Sequence, residues 1–361
     1  MTYYQSAAGI KRLPQNPLLT PANVVPSRPD FRVEGVFNCG VIKYGGDILL
    51  LCRIAESISS SDPDVLQFPV VRGNNGKIKI AVERIVKSQH PELCFDDSRV
   101  VTDRASGKIV CLTSLSHFRL AHSKDGIHFS LQPHPTILPD PYGERWGIED
   151  PRIVCIDGKY VVTYTASSPY GAVVSMMETT DFETFEKRGA IFLPENKDVT
   201  IFPEKVRGEY IAFSRPVPAS IGEPDIWLSR SPDLFNWGNH SHFCGVSKIG
   251  WESGRIGGGA PPFLTEKGWV AIYHAADREN RYSLGAMLLD REDPSKILAR
   301  SQTPLLYPEK SYETGGFFGG VVFSCGCLLE KKTVEIYYGA ADDKICRADI
   351  SLDDLFCHLG V

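Results

Sequence analysis

One pattern recurs five times along the 361 residues, and it limits the fold more than any single motif does. It is a strand, a tight turn rich in Gly or Lys, and a returning strand. It reads VFNCGVIKYGGDILLLCRIAE (36–56), DPRIVCIDGKYVVTYTA (150–166), TIFPEKVRGEYIAFSR (200–215), GGGAPPFLTEKGWVAIYHAA (257–276) and GGVVFSCGCLLEKKTVEIYYGAAD (319–342). Apolar runs enriched in β-branched and aromatic residues, bounded by turn residues, are the signature of strands. A further strand ending in an acidic turn follows each hairpin, as in FRLAHSKDGIHF, VVSMMETTDFETF, IWLSRSPDLFNW, GAMLLDREDPSKIL and ICRADISLDDLF. A short apolar segment completes each set: HPTILP (134–139), AIFLP (190–194), CGVSKI (244–249), TPLLYP (303–308) and NPLLTP (16–21).

Five of each element predict five similar antiparallel sheets, and no stretch suggests a long helix. Sheets this small cannot bury both faces alone, so they pack side by side in a ring. The expected fold is all-β, a five-bladed β-propeller forming one domain over 1–361. NPLLTP stands at the start of the chain although its counterparts follow the second element. It is therefore expected to complete the last blade and close the ring. Residues 57–116 fall outside the count. Asp97-Ser98-Arg99 echoes Asp150-Pro151-Arg152, which makes a sixth blade the alternative. The second and third elements occur only five times, which favours an insertion in the first blade near the site's mouth.

A formal net charge of −5 argues against nucleic acid or an anionic membrane as partner. No segment approaches the roughly 20 apolar residues of a membrane span, and MTYYQSAAGIKRLPQNP lacks the apolar core of a signal peptide. A cytoplasmic protein with reduced cysteines is the expectation. Cys52, Cys111 and Cys155 read as small buried hydrophobes. Cys325-x-Cys327 has no second pair at zinc spacing, so no metal site is expected.

In a propeller the loops entering the innermost strands gather at one mouth. Here they carry Phe37-Asn38, Glu149-Asp150-Pro151-Arg152, Asn196-Lys197-Asp198, Arg255 with Gly257-Gly258-Gly259, and Gly315-Gly316-Phe317-Phe318. The inner-strand ends add Arg53, Glu56, Arg215, His274 and Asp342. The sum is a funnel rich in Arg, Lys and His with few carboxylates. On extended backbone Glu149 and Asp150 face opposite ways, while Arg152 shares the side of Asp150. Pro151, lacking an N–H, suits the first position of a strand. The glycine run reads either as an anion-binding backbone or as a bulge. Arg215, Arg255 and His274, from three blades, would form a cationic cluster suited to phosphate.

GIEDPR, the 196–205 run, GRIGGGAPP and GWVAIYHAAD through YSLGAMLLDREDPSKIL together resemble glycoside hydrolase family 130, over nearly the whole chain. The resemblance implies a five-bladed propeller and an inverting phosphorolysis of β-mannosides that releases α-mannose 1-phosphate. It implies Asp150 as the single catalytic acid, passing its proton through a sugar hydroxyl. It implies phosphate binding by Arg215, Arg255 and His274, and sugar contacts from Asn38, Arg53, Lys197, Asp198 and Asp342. No cofactor is implied, since inorganic phosphate is the co-substrate. The chemistry agrees: an inverting hydrolase needs a second carboxylate about 6.5–9.5 Å from the acid to activate water, whereas an anionic nucleophile needs a cationic cradle. PSRPDFRVEGVFNCGV and LTSLSHFRLAHSKDG resemble the β-1,2-mannobiose and oligomannan branch. A β-1,2-mannosidase, or a phosphorylase of β-1,4-linked mannosides, is the alternative. The inserted segment is placed to fold over the mouth and limit chain length. The expected partners are thus a small β-mannoside and phosphate, with self-association left open.

Overall fold

The computed structural model describes residues 4–74 and 77–361. Its strands pair into antiparallel units in chain order. The first unit holds Arg32–Tyr44, Asp47–Ser57 and Ser114–Ser123, and the second Gly147–Ile156, Lys159–Ser168, Gly171–Thr179 and Glu186–Phe192. The third holds Asn196–Ile201, Tyr210–Pro216, Ile226–Ser231 and Gly238–Cys244. The fourth is built on Arg255–Gly258, Gly268–Ala276, Tyr282–Leu289 and Ile297–Arg300, and the fifth on Val322–Glu330, Thr333–Ala340 and Lys344–Ser351. The sheets are not five separate ones. A parallel pairing of Gly147 with Ser116 fuses the first two units into one eight-stranded sheet. Gly147 has φ +123, and a Cβ there would lie 2.8 Å from Ser116 N, so only glycine lets the strands meet.

Each short apolar segment pairs with the third strand of its unit. Ile137 bridges Phe118, Phe192 pairs with Val174, Cys244 with Ile226, and Leu306 bridges Leu284. In the fifth unit the partner comes from the other end of the chain. Leu19 bridges Ile345, and the strand Lys11–Arg12 pairs with Ala348 and Asp349. The acidic turns also repeat. Asp125, Asp181 and Asp233 each accept from two backbone N–H groups just ahead of them. In the fifth unit this turn becomes the helix Leu352–Leu359, where Ser351 Oγ accepts from Asp354 N and Gly360 closes the end at φ +76. No helix among the described residues is long and apolar enough to cross a membrane.

The core lies between units. Leu49, Leu51 and Phe118 of the first pack with Ile153, Val162 and Tyr164 of the second. Val154 and Val161 meet Val199, Ile201 and Tyr210; Phe202 and Phe213 meet Trp269 and Tyr273; Leu284 and Leu288 meet Ile336 and Tyr338. Val36, Val41 and Leu50 of the first unit pack on Tyr337 and Ile345 of the fifth. Each fully buried Val, Leu or Phe contributes about 1.5–3 kcal/mol. Cys52 and Cys111 are buried as expected, but Cys155 is exposed, on the outward face of its strand.

Ser57 and Ser114 pair directly across their strands, and the segment between them leaves the unit without breaking it. That segment forms a hairpin, Val65–Asn74 with Lys77–Val86, and a small sheet of Leu93–Cys94, Val100–Asp103 and Ile109–Leu112. Phe68, Val70, Leu93, Val101 and Cys111 give it a core of its own.

Candidate active site

The site is built on a repeated irregularity. The inner strands bulge between Phe37 and Gly40, Glu149 and Arg152, and Lys197 and Thr200. The first residue inside each bulge is Asn38 (φ +47), Asp150 (φ +54) or Asp198 (φ +57). Asn and Asp tolerate this left-handed conformation better than other side chains. Each bulge breaks the alternation of the strand and re-aims a polar side chain. Pro151 lies inside a bulge, four residues into its strand and not at its start, where its missing N–H costs no ladder bond.

The bulge overturns the side assignments expected from extended backbone. Asp150 and Glu149 meet on one guanidinium. Arg53 Nη1 donates to Asp150 Oδ1 (2.9 Å) and Arg53 Nη2 lies 3.0 Å from Glu149 Oε1. Asn38 Nδ2 donates to the same Asp150 oxygen at 2.9 Å. Arg53 is held in turn by Ser116 Oγ (3.0 Å) and by the face of Phe37, 4.7 Å away. Lys197 Nζ stands 3.7 Å from Glu149 Oε2. Arg152 does not share the side of the Asp150 carboxylate. It donates to the carbonyls of Gly258 (2.8 Å) and Gly259 (2.9 Å) and to Asp198 Oδ1 (3.1 Å).

Asp198, expected among the sugar contacts, is engaged by Arg215 and His274, two residues expected to bind phosphate. It is 2% exposed and takes Arg215 Nε on Oδ2 at 2.6 Å, with His274 Nε2 at 3.2 Å. Burial pushes its carboxyl up, but Arg215, His274 and Arg152 outweigh that and hold it well below the usual range. Burial pushes the His274 imidazole down, with Asp198 pulling it up and Arg215 and Arg152 adding to the fall. Arg215 uses only its Nε on the carboxylate; its two terminal nitrogens have no protein partner among the described residues. Arg255 donates to Tyr282 Oη (3.0 Å) and Asn280 Oδ1 (2.5 Å). The Tyr282 ring lies 5.6 Å from the Arg255 guanidinium and 6.1 Å, centroid to centroid, from His274.

The glycine run pairs in regular register, Gly257 with His274 and Gly258 with Tyr273, so it is not a bulge, and its glycines serve close packing between units. A Cβ on Gly257 would fall 2.6 Å from Asp198 Oδ2 and from His274 Nε2, and one on Gly258 2.6 Å from Thr200 Cγ2. The carbonyls of Gly258 and Gly259 receive Arg152, and Gly259 N donates to Ile272 O, so the run is not an anion-binding nest. Of the carboxylates expected there, Glu149, Asp150, Asp198 and Asp342 belong to the site. Glu56 is not part of it. It is buried and binds Ser27, His117 and Arg119 beneath the first unit.

Asp342 adopts φ +55 at the end of the fifth unit's hairpin. Burial pushes its carboxyl up to about 7, with Arg53 and Arg99 pulling down and Asp150 and Glu149 adding to the rise. Between the ordinary carboxylate range and about 7, the folded protein therefore holds a proton that the unfolded chain has lost. Its stabilising effect is lost as pH rises through 7. Asp342→Asn keeps the backbone and removes the charge. Its melting temperature is expected to exceed the wild type's at pH 8, by an amount that narrows at pH 5; an equal difference at both pH values would refute this.

The sequence missed Tyr282, Phe323 and Arg99. His274 stacks 4.3 Å from Phe323, and Arg99 lies 4.6 Å over Phe318. Tyr282 and Phe323 sit in ordinary strand sequence. Arg99 was visible only through the echo of Asp150-Pro151-Arg152 in Asp97-Ser98-Arg99, which assigned it no role.

Three comparisons bear on this site. The glycoside hydrolase 130 family model, described as β-1,4-mannooligosaccharide phosphorylase, matches residues 98–359. The chain is 43% identical to the β-1,2-mannobiose phosphorylase of Listeria innocua over 98% of its own length and 99% of that protein's. It is 40% identical to a 1,2-β-oligomannan phosphorylase of Thermoanaerobacter over 67% of this chain and 80% of that one. The solved structure of the Listeria innocua protein in complex with β-1,2-mannobiose superposes with a TM-score of 0.92, covering 97% of this chain and 99% of that chain.

Proposed function

The chain belongs to glycoside hydrolase family 130, and from that premise we propose that it cleaves β-1,2-linked mannobiose and short manno-oligosaccharides with inorganic phosphate, releasing α-mannose 1-phosphate. The observation that carries this reading is the state of the carboxylates. Asp198 is locked by Arg152 and Arg215, and Glu149 by Arg53 with Lys197 nearby. Neither is free to activate water. Arg215 instead offers two unpartnered nitrogens, and His274 a buried Nδ1 without a partner among the described residues. That is a cradle for an anion, worth most where water is excluded.

Asp150 is the proton donor to the leaving oxygen, held by Arg53 and Asn38. Phosphate on Arg215, Arg255 and His274 attacks the anomeric carbon from the opposite face. An in-line displacement there turns a β-linkage into an α-phosphate. Asn38, Arg53, Lys197 and Asp342 face the sugar, while Asp198 orients Arg215. The five units, each packed on the next and the fifth on the first, support a five-bladed propeller over the whole chain. The pairing of Leu19 with Ile345 supports closure by the N-terminal segment. The β-1,2 linkage is favoured because the match to the Listeria innocua protein runs through the insertion, whereas the family model begins at residue 98.

A second reading, hydrolysis, has one observation behind it: the Asp342 carboxyl, pushed up to about 7, is a group that could serve as base. Phosphorus and proton NMR of the product separate the two. The phosphorylase reading expects an axial sugar 1-phosphate in equal amount to free mannose. Two equivalents of mannose and no sugar phosphate would establish the hydrolase.

A further inference from the structure

The insertion is fastened on both sides of its own unit. Its hairpin lies on the loop that leads into the Asp150 strand: Arg145 Nη2 donates to Glu83 Oε1 (2.6 Å), and a Cβ on Gly73 would sit 2.8 Å from Pro141 Cγ. Its small sheet reaches the loop that leads into the fifth unit, where the Arg99 guanidinium lies 4.6 Å from the centroid of Phe318. Phe318 is fixed from below, its N–H donating to Ala341 O at 2.9 Å, and it packs with Val321, Phe323 and Tyr282. Asp97 braces Arg99 from the other side, accepting from Nε (3.0 Å) and Nη2 (2.8 Å). Nη1 is left without a partner among the described residues. The field of Arg99 reaches Asp342 and Tyr282, both in the funnel.

Depth orders these groups. His274 is 0% and Arg215 8% exposed, while the Arg99 side chain is 42% exposed. A disaccharide that presents its anomeric carbon to the deep residues must point its other sugar outward, toward the insertion. We propose that Arg99, carried over the mouth by the insertion, is a specificity-determining residue that binds hydroxyl groups of the leaving mannose and so selects the acceptor. This rests on the phosphorylase reading. The planar guanidinium, seated on one ring and braced by one carboxylate, is pre-organised and loses little freedom when Nη1 donates to a sugar oxygen.

The test is steady-state kinetics in both directions on the wild type, Arg99→Ala and Phe318→Leu. In Arg99→Ala the KM for β-1,2-mannobiose, and for mannose as acceptor in synthesis, is expected to rise about tenfold or more, as for loss of a hydrogen bond to a charged group. The KM values for phosphate and for α-mannose 1-phosphate should stay within about twofold, the scale of a contact not made. Phe318→Leu, which stays apolar but removes the aromatic seat, should show the same acceptor-specific rise to a smaller extent. Unchanged acceptor KM values, with or without a change in melting temperature, would overturn the proposal in favour of a purely structural cap. A rise confined to phosphate and sugar phosphate would overturn it in favour of an anion-guiding role. A wild type that makes no sugar phosphate would sink the phosphorylase reading itself, and the acceptor role with it.

Discussion

Asp150→Asn is expected to lower the phosphorolysis rate by about a thousandfold, the scale of losing a positioned general acid. The substitution is close to isosteric, and Asn tolerates the left-handed backbone at φ +54 as well as Asp does. The amide oxygen can still accept from Asn38 and from Arg53, which donate at 2.9 Å in the native site. The melting temperature and the affinity for mannobiose should therefore change little. Calorimetric titration with mannobiose beside turnover assays separates a lost proton from a lost fold. Equal losses in binding and turnover would show that Asp150 holds the sugar and does not act on it. A substrate with an activated leaving group needs less protonation and should recover part of the rate; no recovery would count against an acid role.

Asp198→Asn is expected to have the largest effect on stability. Its carboxylate is buried between Arg152 Nη2 (3.1 Å), Arg215 Nε (2.6 Å) and His274 Nε2 (3.2 Å). Removing the charge strands two buried guanidiniums, which typically costs about 3–5 kcal/mol. The carboxyl is held well below the usual range, so its contribution is complete at neutral pH and is lost as pH falls through that depressed value. The penalty should shrink in acid. Phosphate should rescue the variant, since an anion that binds only the folded state stabilises in proportion to its occupancy. Thermal melts with and without phosphate check this. Stabilisation by phosphate larger in the variant than in the wild type is the expected outcome. No response to phosphate in either protein would mean that Arg215 and His274 do not form the anion site.

The all-β architecture was legible because each antiparallel unit is written into the sequence separately. The five hairpins, their acidic turns and the apolar segments all fell where strand pairing places them. The side-chain directions at the site were less legible, for a physical reason. Alternation holds on regular strands, and the functional residues Asn38, Asp150 and Asp198 sit at bulges where it fails. Reading through the bulge as extended chain put Arg152 beside Asp150 and Glu149 opposite it, and both assignments were overturned. A polar residue at the same place in three inner strands was the available signal, since Asn and Asp are the residues that accept φ > 0. The packing of Gly257 against Asp198 and His274 lay beyond reach, because it depends on how two units approach each other. Cys155 was misjudged for a simpler cause, since an apolar strand can still turn one side chain outward.

The phosphate cradle is the centre of this account, and one measurement addresses it directly. The purified wild type is incubated with β-1,2-mannobiose in phosphate-free buffer, then with phosphate added, and free mannose and α-mannose 1-phosphate are quantified together. The predicted result is neither product without phosphate, and equal molar amounts of both once it is present. Mannose released at the same rate in both buffers would contradict the account and return the site to hydrolysis.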